Sequence, residues 1–172
     1  MKNNKGFTLI ELLVVIAIIG LLSTLAVVSL NNARQKSRDA KRVSDMKSIQ
    51  TALELYYVDN DSYPAGTASE LGEGTDCTGS AACDTISSTN GIDATAAGTT
   101  YMGLIPTDPS STGTECAHAG GDAAGCTYSY TQTGSGTGYD IYFFLEGATG
   151  DLAAGEACAS ENGIVSGGAA CP

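Results

Sequence analysis

Residues Phe7 to Leu30 are apolar at almost every position. The run holds 24 residues and one charge, Glu11. As a helix it would extend ~36 Å, enough to cross a hydrocarbon layer of ~30 Å. A segment apolar on all faces needs a large core or a lipid environment, and the Gly-rich remainder offers no such core. A cleaved secretory signal has a shorter apolar region that ends in small residues, whereas this run passes directly into a second pattern. There Val43, Met46, Ile49, Leu53, Tyr56 and Tyr57 recur at steps of three and four among Lys41, Arg42, Asp45, Lys47 and Glu54. This is the signature of an amphipathic helix with one stripe for packing. No proline precedes Pro64, so one helix of ~80 Å is expected from Phe7 to about Asp59, ended by Asp59-Asn60-Asp61-Ser62-Tyr63-Pro64.

Beyond Pro64 the pattern changes again. Residues 65–100 are rich in Gly, Ser, Thr and Ala and read as a long loop or loosely ordered insertion. From Cys126 to Gly147 strands are expected. Tyr128 and Tyr130 alternate with polar residues, Gly134 to Gly138 supply a turn, and Tyr139, Ile141, Phe143 and Leu145 share a face. The fold expected is α+β, a long N-terminal helix packed on a small antiparallel sheet. Four segments follow: a leader at 1–6, an apolar helix at 7–30, its amphipathic continuation at 31–61, and a head at 62–172.

Charge sharpens this division. The chain has eight basic and nineteen acidic residues, and every Lys and Arg lies at or before Lys47. Sixteen acids follow Lys47, so residues 48–172 carry 0 − 16 = −16. Such a head repels a phosphate backbone, which argues against nucleic-acid binding there. Residues 31–47 carry six basic and two acidic side chains, net +4. Two uses compete for this basic stem: contact with anionic lipid headgroups, or docking against the acidic head of a neighbouring copy. Counting Lys and Arg on either side of the apolar run would orient the head inward, but large domains cross membranes largely regardless of charge.

The six cysteines, Cys77, Cys83, Cys116, Cys126, Cys158 and Cys171, all lie in the acidic part. An even number in a Gly- and Ser-rich stretch points to disulfides and an oxidising compartment. Fifteen pairings exist; short loops favour 77–83, 116–126 and 158–171, each contributing about 2–3 kcal/mol. Zinc at Cys116, His118 and Cys126 competes, without a C-x-x-C pair to support it. His118 is the chain's one histidine, and no Ser or Cys has an evident base partner, so the chain reads as no enzyme.

Two features of the apolar segment imply a function. A carboxylate in hydrocarbon costs up to about 3 kcal/mol near the centre of the layer and calls for a partner. A basic leader meets the apolar run at Lys5-Gly6-Phe7; a cut after Gly6 would leave an amino group on Phe7, one helical turn from Glu11. Lys5-Gly6-Phe7-Thr8-Leu9-Ile10-Glu11 with the run behind it resembles the prepilin signal of type IV pilins and type II secretion pseudopilins. Ala52-Leu53, Tyr56-Tyr57, Asp59-Asn60, Ser62-Tyr63-Pro64 and Leu104-Ile105-Pro106-Thr107-Asp108-Pro109 are similar to the G-type major pseudopilin and its pilin relatives. Together these matches cover about half the chain.

The resemblance implies cleavage between Gly6 and Phe7 by a prepilin peptidase, N-methylation of Phe7, and pairing of Glu11 with the Phe7 amine of a neighbour. It implies a single-pass anchor in the cytoplasmic membrane with an extracytoplasmic head, and a homopolymeric filament at the cell surface or in the periplasm. An assembly platform and its ATPase would be the partners. The alternative is a membrane-anchored minor pilin that binds ligands in DNA uptake or adhesion. Val28 departs from the family, which often has proline there. No cofactor is expected beyond a candidate calcium ion, which related pseudopilins hold in a C-terminal loop; Asp140, Glu146, Asp151 and Glu156 are its candidate ligands here. No D-x-[DN]-x-[DN]-G loop accompanies them.

Overall fold

One helix, α1, runs from Leu9 to Asn60, uninterrupted at Gly20 and Val28. The computed structural model describes residues 6, 8–72, 83–111, 116, 126–166 and 171. Phe7, Cys77 and His118, all singled out by the sequence, lie outside that set. The chain divides into two units, residues 1–35 and 36–172.

In the first unit, every large apolar side chain from Leu9 to Leu30 is at least 48% exposed. Two of its hydroxyls turn inward to the helix backbone instead. Ser23 Oγ donates to Ile19 O at 2.7 Å, and Thr24 Oγ1 to Leu21 O at 2.8 Å. Both hydroxyls are thereby satisfied without water, which suits a helix meant for an apolar environment.

In the second unit the helix is one-sided. Arg42, Met46, Ile49, Ala52 and Leu53 are buried, at the three- and four-residue steps expected of an amphipathic stripe. The helix ends with Asn60 Nδ2 donating to Tyr56 O at 2.9 Å and Asp61 N to Tyr57 O at 2.9 Å. Asp61 takes φ +53, the left-handed stop that Asp tolerates better than most residues. Tyr63 then packs its ring 4.7 Å from both Tyr57 and Tyr139, which fastens the helix end to the sheet.

That sheet has five antiparallel strands in the order β1-β5-β6-β7-β8. They are β1 (Ser69–Glu70), β5 (Ser129–Thr133), β6 (Gly138–Leu145), β7 (Gly155–Ser160) and β8 (Gly163–Ser166). The β5–β6 hairpin is the one its alternation predicts, and Tyr130, Tyr139, Ile141, Phe143 and Leu145 are all buried. Gly134 and Gly136 supply the positive φ values, +58 and +99, that its turn requires.

Residues 65–100 are not simply a loop. β2 (Thr85–Ser87), β3 (Gly91–Asp93) and β4 (Thr100–Met102) form a second antiparallel sheet, ordered β3-β2-β4. Its strands have three residues each, anchored by Ile86 and Ile92 in the common core. So few apolar positions, spaced by Ser, Thr and Gly, leave almost no alternation to read.

The five-stranded sheet also has a covered outer face. Tyr142 and Cys158 are ladder partners, and with Cys116 and Cys126 they form a small buried cluster separate from the core. Cys116–Cys126 and Cys158–Cys171 are disulfides, with Cα separations of 5.0 and 5.7 Å. Cys83 is also disulfide-bonded. The 116–126 bond consumes both thiols that the zinc reading required.

Candidate functional site

The N-terminus of α1 begins with a reciprocal cap. Thr8 N and Thr8 Oγ1 both donate to Glu11 Oε2, at 2.8 and 2.7 Å, and Glu11 N donates back to Thr8 Oγ1 at 3.3 Å. This is a capping box, the T-x-x-E pattern that satisfies amide groups left without partners at a helix start. Charge and hydropathy alone present Glu11 as a bare charge. Its carboxylate is instead hydrogen-bonded within the chain, and these bonds fall on one oxygen. The T-x-x-E spacing is present in the sequence and is the signal that could have revealed it.

Among the described residues little else surrounds this cap. Gly6 is exposed, and a Cβ added there meets nothing within 4 Å. The helix behind it is long and apolar enough to cross a membrane, and none of that stretch is buried. Chemically the end offers a carboxylate held in a fixed orientation at the tip of an uncovered apolar surface. Fully burying each such Leu, Ile or Val is worth about 1.5–3 kcal/mol, so the surface calls for lipid or protein cover.

A second constellation binds the stem to the loops of the head. Arg42, fully buried, donates from Nε to Asp108 Oδ2 at 2.6 Å, from Nη2 to Asp108 Oδ1 at 3.0 Å and to Ser110 Oγ at 2.6 Å. Its Nη1 reaches Asp39 Oδ1 at 2.7 Å and Glu146 Oε1 at 2.8 Å. Arg38 forms a two-pronged pair with Glu146, through Nε at 2.7 Å and through Nη2. Asp39 in turn accepts the backbone N–H groups of Glu146 and Gly147 at 3.0 and 2.9 Å. Two guanidinium groups thus face three carboxylates. Burial works against the charge on Arg42, but its hydrogen bonds to Asp108 and Glu146 outweigh that and raise its pKa. Hydrogen bonding by Arg38, joined by Arg42, holds Glu146 down to about 2.

This network corrects the expectation that Arg38 and Arg42 are free for a neighbouring copy: both are spent within their own chain. It also explains the Ile105-Pro106-Thr107-Asp108 segment. Ile105 is buried and its N–H bonds Asp84 O at 2.6 Å, which delivers Asp108 to Arg42.

The candidate calcium ligands are dispersed. Glu146 belongs to the arginine pairs, Asp151 is an exposed turn residue, and Asp140 and Glu156 flank Tyr142 and Cys158 on the outer sheet face. Among the described residues one three-member ligand set has atoms within 4.8 Å, Asp140 with Cys158 and Cys171. Its two sulfurs are joined to each other.

Comparison with known proteins bears on the cap and the helix behind it. Residues 1–27 match the prokaryotic N-terminal methylation motif. The chain carries a prepilin-type N-terminus. Its prepilin-like part is similar to the type II secretion system core protein G of Pectobacterium carotovorum subsp. carotovorum, with 44% identity over 63 residues, covering 37% of this chain and 40% of that protein. The core protein G of Escherichia coli (strain K12) is 45% identical over 62 residues, 36% of this chain and 43% of its own length. The type IV wide pilus major component PilA4 of Thermus thermophilus is 39% identical over 74 residues, 43% of this chain and 56% of its own. The chain thus spans 40% to 56% of the length of these relatives. No solved structure matches it.

Proposed function

We propose that this chain is a structural subunit of a type IV pilus-like filament, a pilin or the major pseudopilin of a type II secretion-like system. The observation that carries the reading is the prepilin-type motif at residues 1–27, whose part from Leu9 onward belongs to a helix with uncovered apolar side chains. In this reading Gly6–Phe7 is cut by a prepilin peptidase and Phe7 is methylated. Residues 7–30 anchor the subunit in the cytoplasmic membrane, with the disulfide-bonded head outside. They then become the filament core as copies replace lipid.

Extraction by the assembly platform and its ATPase lifts each subunit out of the membrane. Glu11 guides this exchange. A carboxylate in an apolar layer is stabilised by the amine on the Phe7 of a neighbour, so ordered addition relieves a cost that the isolated subunit bears. The chain performs no catalysis; its work is to assemble.

Intact-mass measurement of the protein from sheared filaments tests the reading. The expected species begins at Phe7 and is heavier than the unmodified mature chain by one methyl group. A filament-borne species that still begins at Met1 contradicts it.

A further inference from the structure

The outer face of the five-stranded sheet holds a carboxylate against a disulfide. On β6, Asp140 and Tyr142 share that face, and their ladder partners on β7 are Ser160 and Cys158. Cys158 is bonded to Cys171, and a carboxylate oxygen of Asp140 lies within 4.8 Å of both sulfurs. Tyr142 is buried in the same cluster as Cys158, and its hydroxyl is hydrogen-bonded to the backbone of Cys171. Burial raises the pKa of Tyr142, and the charge of Asp140 raises it further. The negative field of Asp140 therefore reaches into the cluster.

Burial decides how this bond can open. Among the described cysteines, Cys83, Cys116, Cys126 and Cys158 are at most 4% exposed, and Cys171 alone is half-buried. A thiolate breaks a disulfide by attacking one sulfur and expelling the other. Cys171 Sγ is the sulfur open to attack, so Cys158 Sγ must leave. The lone pair of the incoming thiolate forms a mixed disulfide with Cys171. The Cys158–Cys171 bond breaks, and its electron pair goes to Cys158 as a thiolate, which then takes a proton from water. That thiolate is generated in a buried position beside a carboxylate. Burial and a like charge both raise the pKa of a thiol, and a thiolate of high pKa leaves slowly. The same carboxylate repels the incoming anion.

We propose that Asp140 is an electrostatic guard of the Cys158–Cys171 disulfide, slowing its exchange with anionic small thiols such as glutathione and so keeping Cys171 fastened to β7. Glu156 provides the contrast. It lies on the same face two residues from Cys158, yet Asp140 is the acid grouped with the two sulfurs among the described residues. The guard acts by its distance from the sulfurs, not through the general negative charge of the head. It belongs to the folded head and operates whether or not the chain polymerises.

The test uses the full chain, unassembled in detergent, with its disulfides intact. Reduced glutathione is added, samples are trapped with N-ethylmaleimide over time, and peptide mass spectrometry reads each cysteine. Cys158 should be labelled first, with Cys171 carrying glutathione. Asp140→Asn keeps the shape of the side chain and removes its charge. It should open the bond about fivefold faster than wild type, the effect of one charge at this distance in a partly hydrated site. The gain should be smaller with cysteamine, whose attacking form has no net charge, and should shrink at high salt. Glu156→Gln, farther from the sulfurs, should change the rate much less. Thermal midpoints equal to wild type separate faster exchange from looser folding. If Asp140→Asn lowers the midpoint, wild type alone decides: added salt should speed opening by glutathione more than by cysteamine. An Asp140→Asn rate no faster than wild type, a gain as large with cysteamine, an equal gain in Glu156→Gln, or first labelling at Cys116 or Cys126 overturns the proposal. In the wild-type arm, salt that speeds both thiols alike does the same.

Discussion

The two parts of α1 are built from one continuous helix and solve opposite problems. Residues 9–35 bury nothing of their own, and Glu11, Ser23 and Thr24 are hydrogen-bonded locally, through the Thr8–Glu11 box and the Ser23 and Thr24 bonds to the backbone. Residues 36–60 bury a stripe against the sheet and extend that stripe with charge, since Arg42 and Asp39 are as deeply enclosed as Met46. A helix that needed only to be stable would have no use for the first pattern. Apolar surface left open all round one part, beside a packed stripe in the other, marks a segment whose partner comes from outside the chain.

The contrast can be broken most severely at Arg42. Arg42→Ala leaves Asp39, Asp108 and Glu146 facing one another without their shared cation, and removing one partner of a buried pair costs about 3–5 kcal/mol. Chemical denaturation of the full chain in detergent should show that loss while membrane insertion of residues 9–35 is unaffected. A stability within about 1 kcal/mol of wild type would mean that the network is solvated and the two parts are less different than described.

Next in size is the Cys158–Cys171 bond, which ties Cys171 to β7 in the outer-face cluster. Replacing both cysteines by Ser should cost about 3 kcal/mol, on chain-entropy grounds for a loop of this length. Its signature is a lower midpoint for the head, again without effect on insertion.

The smallest effect expected is on acid stability. Glu146 is held down to about 2 from an ordinary value of 4.5, so its contribution is present above pH 4.5 and is lost as pH falls toward 2. Asp45 opposes this: burial raises its pKa, so its contribution is largest in acid and fades as pH rises through its folded value. Between pH 4.5 and 2 the slope of stability against pH should be shallower in Glu146→Gln than in wild type. An unchanged slope would assign the acid sensitivity elsewhere.

Local spacing carried the helix, its packing stripe and the β5–β6 hairpin, because each repeats a period over many residues. The β2–β4 sheet was hidden by its brevity, with Ile86, Ile92, Tyr101 and Met102 its only large apolar positions. β7 and β8 are hard to see because Gly155-Glu156-Ala157-Cys158-Ala159-Ser160 is built from small residues, although Asn162-Gly163 is a recognisable turn signal. The Arg42–Asp108 bond joins residues 66 positions apart, a pairing that no local pattern displays. For the same reason the basic stem looks wholly available to neighbours in the sequence, when its two buried or half-buried arginines are already bound. At the N-terminus Gly6, Phe7 and Glu11 stand out through charge and motif, and the capping role of Thr8 does not.

That cap gives the assembly account its sharpest test, because Gln can replace Glu in a capping box and cannot carry its charge. Polymer yield should be measured for Glu11→Gln beside Glu11→Ala, with N-terminal processing and membrane insertion confirmed for each. If Glu11 serves to pair with the amine of a neighbouring Phe7, both variants are processed and inserted, and neither forms filaments. Wild-type filament levels from Glu11→Gln would contradict the account and leave Glu11 as a helix cap alone.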